Sequence, residues 1–295
     1  MANYILSCCS TADLTQEKFD ELDVKFCPFH FSVDGVDYPD DLGKSYPFEK
    51  FYNDMTNGAM TKTSQLSVGE YTAYFESFLL EGKDIIHCAL SSGLSGTVQS
   101  ATIAANMLME KYPERKIAII DSLAASSGFG LLMAMLAKKR DEGATFEECA
   151  KYAEEIKLNV HHWFFSTDLT FYVRGGRVSK ASGWIGNMLH ICPLLNVDFE
   201  GHLIPREKIR SEKKVQKIIV DRMLENADNG ADYDGICYIS HSNCPEWVEG
   251  VIKHIENNFP KLKGKVEVFS IGTTIGAHTG PGTVALFFMG KKREN

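Results

Sequence analysis

Three stretches of the chain gather hydroxyl, amide, imidazole and glycine residues densely enough for a small-molecule site. They are Thr61-Lys62-Thr63-Ser64-Gln65-Leu66-Ser67, Ser91-Ser92-Gly93-Leu94-Ser95-Gly96-Thr97, and Gly272 to Gly282 around His278. The second is the most telling. It follows an apolar run, Asp84 to Leu90, that reads as a buried strand, and it precedes an alanine-rich helix from Thr97 to Tyr112. Such a strand–turn–helix junction leaves backbone N–H groups unpaired at the positive end of the helix dipole. Ser95 and Thr97 add hydroxyl donors there, so an oxyanion is the natural guest. Helix capping by Ser91, Ser95 and Thr97 is the plain alternative. Thr63, Ser64 and Ser67 stand in the same relation to a helix from Val68 to Leu80, with capping again the competing reading. In the third stretch, read as a loop, glycines let the backbone approach a ligand and His278 can donate to an anion. A structural histidine explains it equally well.

Other chemistry is less well supported. Arg174-Gly175-Gly176-Arg177 suits a phosphate clamp or a turn with solvated arginines. The chain has no G-x-x-x-x-G-K-[ST] loop, no G-x-G-x-x-G opening a helix after a strand, and no G-x-S-x-G elbow. A serine hydrolase built on Ser95 would need His278 as base and Asp121 as orienting acid. Phe164, Phe165, Trp184, Met188, Phe287 and Phe288 are candidates to line an apolar pocket, or are ordinary core. The eight cysteines make no CxxC and the nine histidines no HxxxH. Reduced thiols and no metal site are therefore expected. His161 and His162, adjacent in a strand, should point to opposite faces.

The elements that must position these residues follow from periodicity. Strands are expected at Tyr4 to Cys9, Asp84 to Leu90 and Lys116 to Ile120, with helices near Gln16 to Leu22, Phe48 to Met55, Val68 to Leu80, Thr97 to Tyr112, Gly128 to Lys139 and Phe146 to Lys157. Val24 to Val33, Asp34-Gly35 and Val36 to Tyr38 read as run, turn and run. Short strands separated by long helices imply a parallel, doubly wound α/β/α layer that binds ligands at the strands' carboxyl ends. After His162, turns of hairpin type mix with helices, so a second α/β domain with a mixed sheet is expected. The boundary falls near residue 160, giving domains 1–160 and 161–295. With 295 residues, 44% hydrophobic and 24% charged, the chain supports a large core without staples. A net charge of −8 and the lack of a basic stripe disfavour nucleic acid and anionic lipid surfaces. No run is long enough to span a bilayer, and the start lacks a basic leader, so a cytoplasmic protein is expected.

Taken in order, these residues resemble the DegV family. The resemblance runs through Ser10-Thr11-Ala12-Asp13-Leu14, Thr63-Ser64-Gln65, Ser91 to Thr97 and Asp121-Ser122. It continues through Arg174-Gly175-Gly176-Arg177-Val178, Pro193-Leu194-Leu195, Gly201 and Arg210, and closes on Thr274 to Gly282. It implies a two-domain α/β protein that binds one long-chain fatty acid in the cleft between its domains. Several members present that lipid to a separate ATP-binding kinase subunit in bacterial fatty acid metabolism. On the resemblance, Thr63 and Ser95 hold the carboxylate, His278 completes the network, and Ser64, Ser92 and Thr97 support it. Residues around Arg210 would dock the kinase subunit, and no cofactor is implied beyond a bound acid of roughly C14 to C18, palmitate among them. The chain departs from the family at Cys8-Cys9, where an aspartate usually ends the first strand, and at Leu66, often proline. An enzyme in its own right, a phosphotransferase like dihydroxyacetone kinases or the hydrolase above, is the alternative.

Overall fold

The computed structural model describes residues 3–179 and 191–294. Trp184 and Met188 lie outside them. Strand β1 (Tyr4–Cys9) is followed by helix α1 (Gln16–Glu21), opened by the Thr15 hydroxyl, and by β2 (Val24–Cys27). The run expected to continue to Val33 breaks at Pro28, which lacks the N–H a ladder needs. The chain resumes in a separate hairpin of β3 (His30–Val33) and β4 (Val36–Pro39), turning on Asp34-Gly35. Helix α2 (Phe48–Thr56) leads to β5 (Thr61–Ser64) and then α3 (Val68–Leu80). The segment expected to be a loop capping α3 is thus largely a strand that pairs with β3, and only Ser67 forms the capping box with Glu70.

Next come β6 (Asp84–Ala89), α4 (Thr97–Lys111), β7 (Ile117–Asp121), α5 (Ser126–Asp141) and α6 (Phe146–Ile156). They are followed by β8 (Val160–Ser166), α7 (Thr170–Arg174), β9 (Ile191–Val197) and β10 (Leu203–Arg210). The chain continues with α8 (Glu212–Asn226), β11 (Cys237–His241), α9 (Pro245–Asn258) and β12 (Glu267–Ser270). Helix α10 (Thr273–Thr279) and β13 (Thr283–Met289) complete the described elements. The stretch around His278, expected to be a loop, is therefore mostly helix.

Three sheets result among the described residues. The parallel sheet runs β2-β1-β6-β7, with α3 and α4 packed together on it and α5 and α6 packed together on it. Strand order, not strand direction, reverses at β1: β2 is added on one side and β6 and β7 on the other, and the crevice at such a switch point is where these sheets take ligands. The mixed sheet runs β10-β9-β8-β13-β11-β12 and is antiparallel except for β11 with β12. The small antiparallel sheet β4-β3-β5 contains the expected hairpin of β3 and β4, and its third strand, β5, was not foreseen. With α2 and α10 it encloses its own core of Phe31, Phe51, Tyr52, Met55 and Ala277.

Helix α5 joins the parallel and mixed sheets, touching β1 as well as β8, β11 and β13. The Ser127 hydroxyl bonds both the Asp13 carbonyl and Ser240 Oγ. Gly128 makes the fit possible, because a Cβ there would stand 2.3 Å from His162 Nε2 and 2.6 Å from Phe287.

Candidate functional site

A cavity of about 470 Å³ opens where the three sheets converge, within the size range of small-molecule sites. Its floor is set by strand alternation. Phe164 of β8 and Ala285 and Phe287 of β13 face it, as does His162. Phe165 and Phe288 point to the other side, where Phe165 packs on Trp247 and Phe288 stacks on His161. Those two are core, which corrects their candidacy as pocket lining. Leu94, Val197 and Leu203 extend the apolar wall.

The polar end is assembled from segments far apart in sequence. Residue Thr63 on β5 meets His278 on α10, with Oγ1 2.8 Å from Nε2. Helix α10 is short and contains glycine, and its start is held by Asp40. That buried carboxylate accepts from Thr273 Oγ1 at 2.8 Å, from Ser10 Oγ at 3.0 Å and from the Thr274 N–H. Burial raises the Asp40 pKa and these donors oppose the rise. The other end of the imidazole lies against Gly175, where a Cβ would come within 2.2 Å of Nδ1. Glycine in the Arg174-Gly175-Gly176-Arg177 run is thus what lets His278 sit here.

Nδ1 is buried without a hydrogen-bond partner among the described residues. A bare acceptor is cheaper to bury than a bare donor, so the tautomer with the proton on Nε2 is favoured. Nε2–H then donates to Thr63, whose own O–H is free to donate onward. Burial first, and the nearby Arg177 second, push the His278 pKa down to about 4. The ring is neutral at pH 7.

Ser95 stands on the same wall. Its Oγ donates to Gln65 Oε1 at 2.7 Å and accepts from the Thr97 N–H at 3.3 Å. It therefore holds the Thr97 N–H at the start of α4, where Gly96 is the N-cap residue, and also faces the cavity. Gln65, whose Nε2 donates to Ser100 Oγ, ties the Thr63 segment to the Ser95 segment. Arg177 lies close by, donating to the carbonyls of Gly175 and Leu94. No carboxylate pairs with it among the described residues, and burial lowers its pKa. A half-buried guanidinium without a counter-ion is a standing demand for an anion.

The remaining expected residues are distributed differently. Ser64 lines the cavity. Thr97 is buried and bonded to the Tyr71 hydroxyl at 2.6 Å, so it touches the site only through its N–H on Ser95. Ser92 is exposed, with its N–H on Asp121. Arg210 is exposed at the end of edge strand β10 and does not line the cavity. The hydrolase constellation does not assemble. Asp121 accepts from the N–H groups of Ser92 and Leu123, while His278 bonds Thr63 and Ser95 bonds Gln65. Sequence reasoning passed over Gln65 as a site residue and left Arg177 undecided between clamp and turn. For Arg177, the pair of glycines before it was the available signal of close packing.

A family model described as "Uncharacterised protein, DegV family" matches residues 9–291. A DegV domain-containing protein of Clostridium perfringens is 33% identical over 294 residues, covering 100% of both chains. Among solved structures, a fatty-acid-binding DegV family protein from Thermus thermophilus is similar at 26% identity and a TM-score of 0.85, covering 97% of this chain and 99% of that one. DegV, a fatty acid binding protein from Bacillus subtilis, is similar at 27% identity and a TM-score of 0.80, covering 99% and 100%.

Proposed function

This chain belongs to the DegV family, and from that premise we propose that it binds one long-chain fatty acid, of roughly C14 to C18, in the cavity described. The observation that carries the reading is the cavity's division into an apolar floor and a polar end holding a guanidinium with no carboxylate partner among the described residues. Thr63, Ser95 and His278 hold the carboxylate in this proposal. Thr63 donates its free O–H, His278 orients Thr63, and Ser95 turns its hydroxyl from Gln65 to the ligand. Ser64 lies beside them, Thr97 and Ser92 hold the turn that carries Ser95, and Arg177 supplies the counter-charge. The fatty-acid binding of the Thermus and Bacillus relatives supports the reading.

The energetics agree. Burying roughly fifteen methylenes at about 0.8 kcal/mol each gives about 12 kcal/mol gross, from which association and ordering costs are subtracted. The donors at the mouth have only to offset the carboxylate's desolvation and fix its position. We place the site in the cleft between a unit of residues 1–160 and one of 161–295.

In this proposal the protein is a carrier rather than an enzyme, serving lipid transport or fatty acid metabolism in the cytoplasm. It presents the carboxylate to a separate ATP-binding kinase subunit, with Arg210 on an exposed strand edge as part of the docking face. No helix of the described residues is long and apolar enough to cross a membrane. Native mass spectrometry of protein purified from bacteria should show one bound acid, and delipidated protein should take up palmitate stoichiometrically. Delipidated, folded protein with no affinity for acids of this length would overturn the proposal.

A further inference from the structure

We propose that Cys9, Cys27 and His87 form a binding site for a thiophilic divalent metal ion of the zinc class. The three residues come from three neighbouring strands, so no linear motif announces them. In the parallel pairing of β1 with β2, Cys9 stands directly opposite Cys27. In the pairing of β1 with β6, Ser7 stands opposite His87, and Ser7 shares a face with Cys9 because they are two residues apart. The two sulfurs and Nε2 of His87 all lie within 4.8 Å of one another, and all three residues are buried.

The geometry is close to what a tetrahedral ion requires. Zinc–sulfur bonds of about 2.3 Å and zinc–nitrogen bonds of about 2.0 Å put neighbouring S and N atoms roughly 3.5 Å apart. Cys9 Sγ is 3.8 Å from His87 Nε2. The imidazole is already aimed. Ser7 Oγ lies 2.9 Å from Nδ1 and is itself bonded to the Tyr74 hydroxyl. With the proton on Nδ1, the Nε2 lone pair faces the thiols, the arrangement that outer partners impose on metal-bound histidine. The Tyr71 hydroxyl, 3.3 Å from Cys9 Sγ and anchored on Thr97, offers an oxygen for the fourth position.

Charge closes as well. Binding transfers the two thiol protons to solvent and forms two metal–sulfur bonds and one metal–nitrogen bond. A dication, two thiolates and a neutral imidazole then sum to zero, so the buried site carries no net charge. Soft thiolate donors select zinc-like ions over magnesium or calcium.

The test uses the full chain, freed of metal with a chelator under reducing conditions, then given zinc alone or cobalt(II) alone and dialysed. One equivalent of zinc should be retained, with two protons released. Cobalt should show thiolate-to-metal charge-transfer absorption, and the bound ion should raise Tm. Cys27→Ala and His87→Gln should each weaken binding more than about 100-fold, beyond the range that loss of an outer partner reaches. Cys88→Ala removes a buried thiol on the opposite face of β6 and should leave binding unchanged. The proposal is overturned if wild-type protein retains no equivalent, or if the cobalt bands survive in Cys27→Ala. It is likewise overturned if metal-free protein under air loses two mass units to a Cys9–Cys27 disulfide and binds neither ion when reduced. Should a variant fail to fold, the wild-type stoichiometry and cobalt spectrum decide alone.

Discussion

The floor and the mouth of the cavity are built on opposite principles. The floor comes from alternate positions of two paired strands, β8 and β13, so one alternation of facing residues defines it. The mouth draws Thr63, Ser95, Arg177 and His278 from four elements or turns, and its hydrogen bonds leave a guanidinium without a counter-ion among the described residues. In the proposed lipid complex the floor therefore supplies bulk affinity that scales with apolar area, and the mouth supplies orientation and charge. Floor and mouth should separate under mutation.

Filling the floor should have the largest effect. Ala285→Phe puts a ring into the cavity at the place proposed for the tail, and displacing about four methylenes at about 0.8 kcal/mol each would cost about 3 kcal/mol, or more than about 100-fold in Kd. Titration with a fluorescent long-chain acid reads this, and thermal unfolding should show the fold retained. Unchanged affinity would place the tail elsewhere. Removing charge from the mouth comes next. Arg177→Gln should weaken binding about 10- to 100-fold, the worth of a charge-assisted hydrogen bond. The methyl ester of the same acid should not feel that substitution. If acid and ester suffer alike, Arg177 acts through packing.

Ser95→Ala should be milder. A neutral hydrogen bond of about 0.5–1.5 kcal/mol corresponds to roughly 2- to 10-fold in affinity, with a stability loss of about 1 kcal/mol from the Thr97 N–H left without its Ser95 acceptor. A stability loss with no change in Kd would reduce Ser95 to a support for the start of α4. The smallest effect near neutrality is that of pH on the unliganded protein. The unfolded chain takes up a proton at His278 near pH 6.5, but the folded one does so only near about 4. Stability is thus unaffected above pH 6.5 and falls progressively towards pH 4, by at most about 3 kcal/mol from this group. His161, also held at about 4 by burial, adds in the same direction. Denaturant titrations at pH 7, 6 and 5 should show a shallower decline for His278→Gln, and parallel declines would remove His278 from the account.

Legibility in the sequence followed the same division. Strands β1, β6 and β7 and the junction carrying Ser95 were readable because buried parallel strands are continuous apolar runs punctuated by glycine or hydroxyl turns. Thr61–Ser64 hid its strand because four polar residues carry no alternation, although threonine favours extended backbone. Helix α10 hid in Thr273–Thr279 because threonine and glycine are weak helix formers, and packing on α2 and β5 compensates. Gln65 and the lone charge of Arg177 became visible only with tertiary placement, as did the meeting of Cys9, Cys27 and His87 across three strands.

Helix α5 has a consequence for the whole molecule. With Ser127 bonded to partners on both sides and Gly128 admitting His162 and Phe287 to van der Waals range, it acts as a shared keel. Neither large sheet can shed its covering without stripping the other, so melting is expected as a single cooperative event despite the bipartite plan.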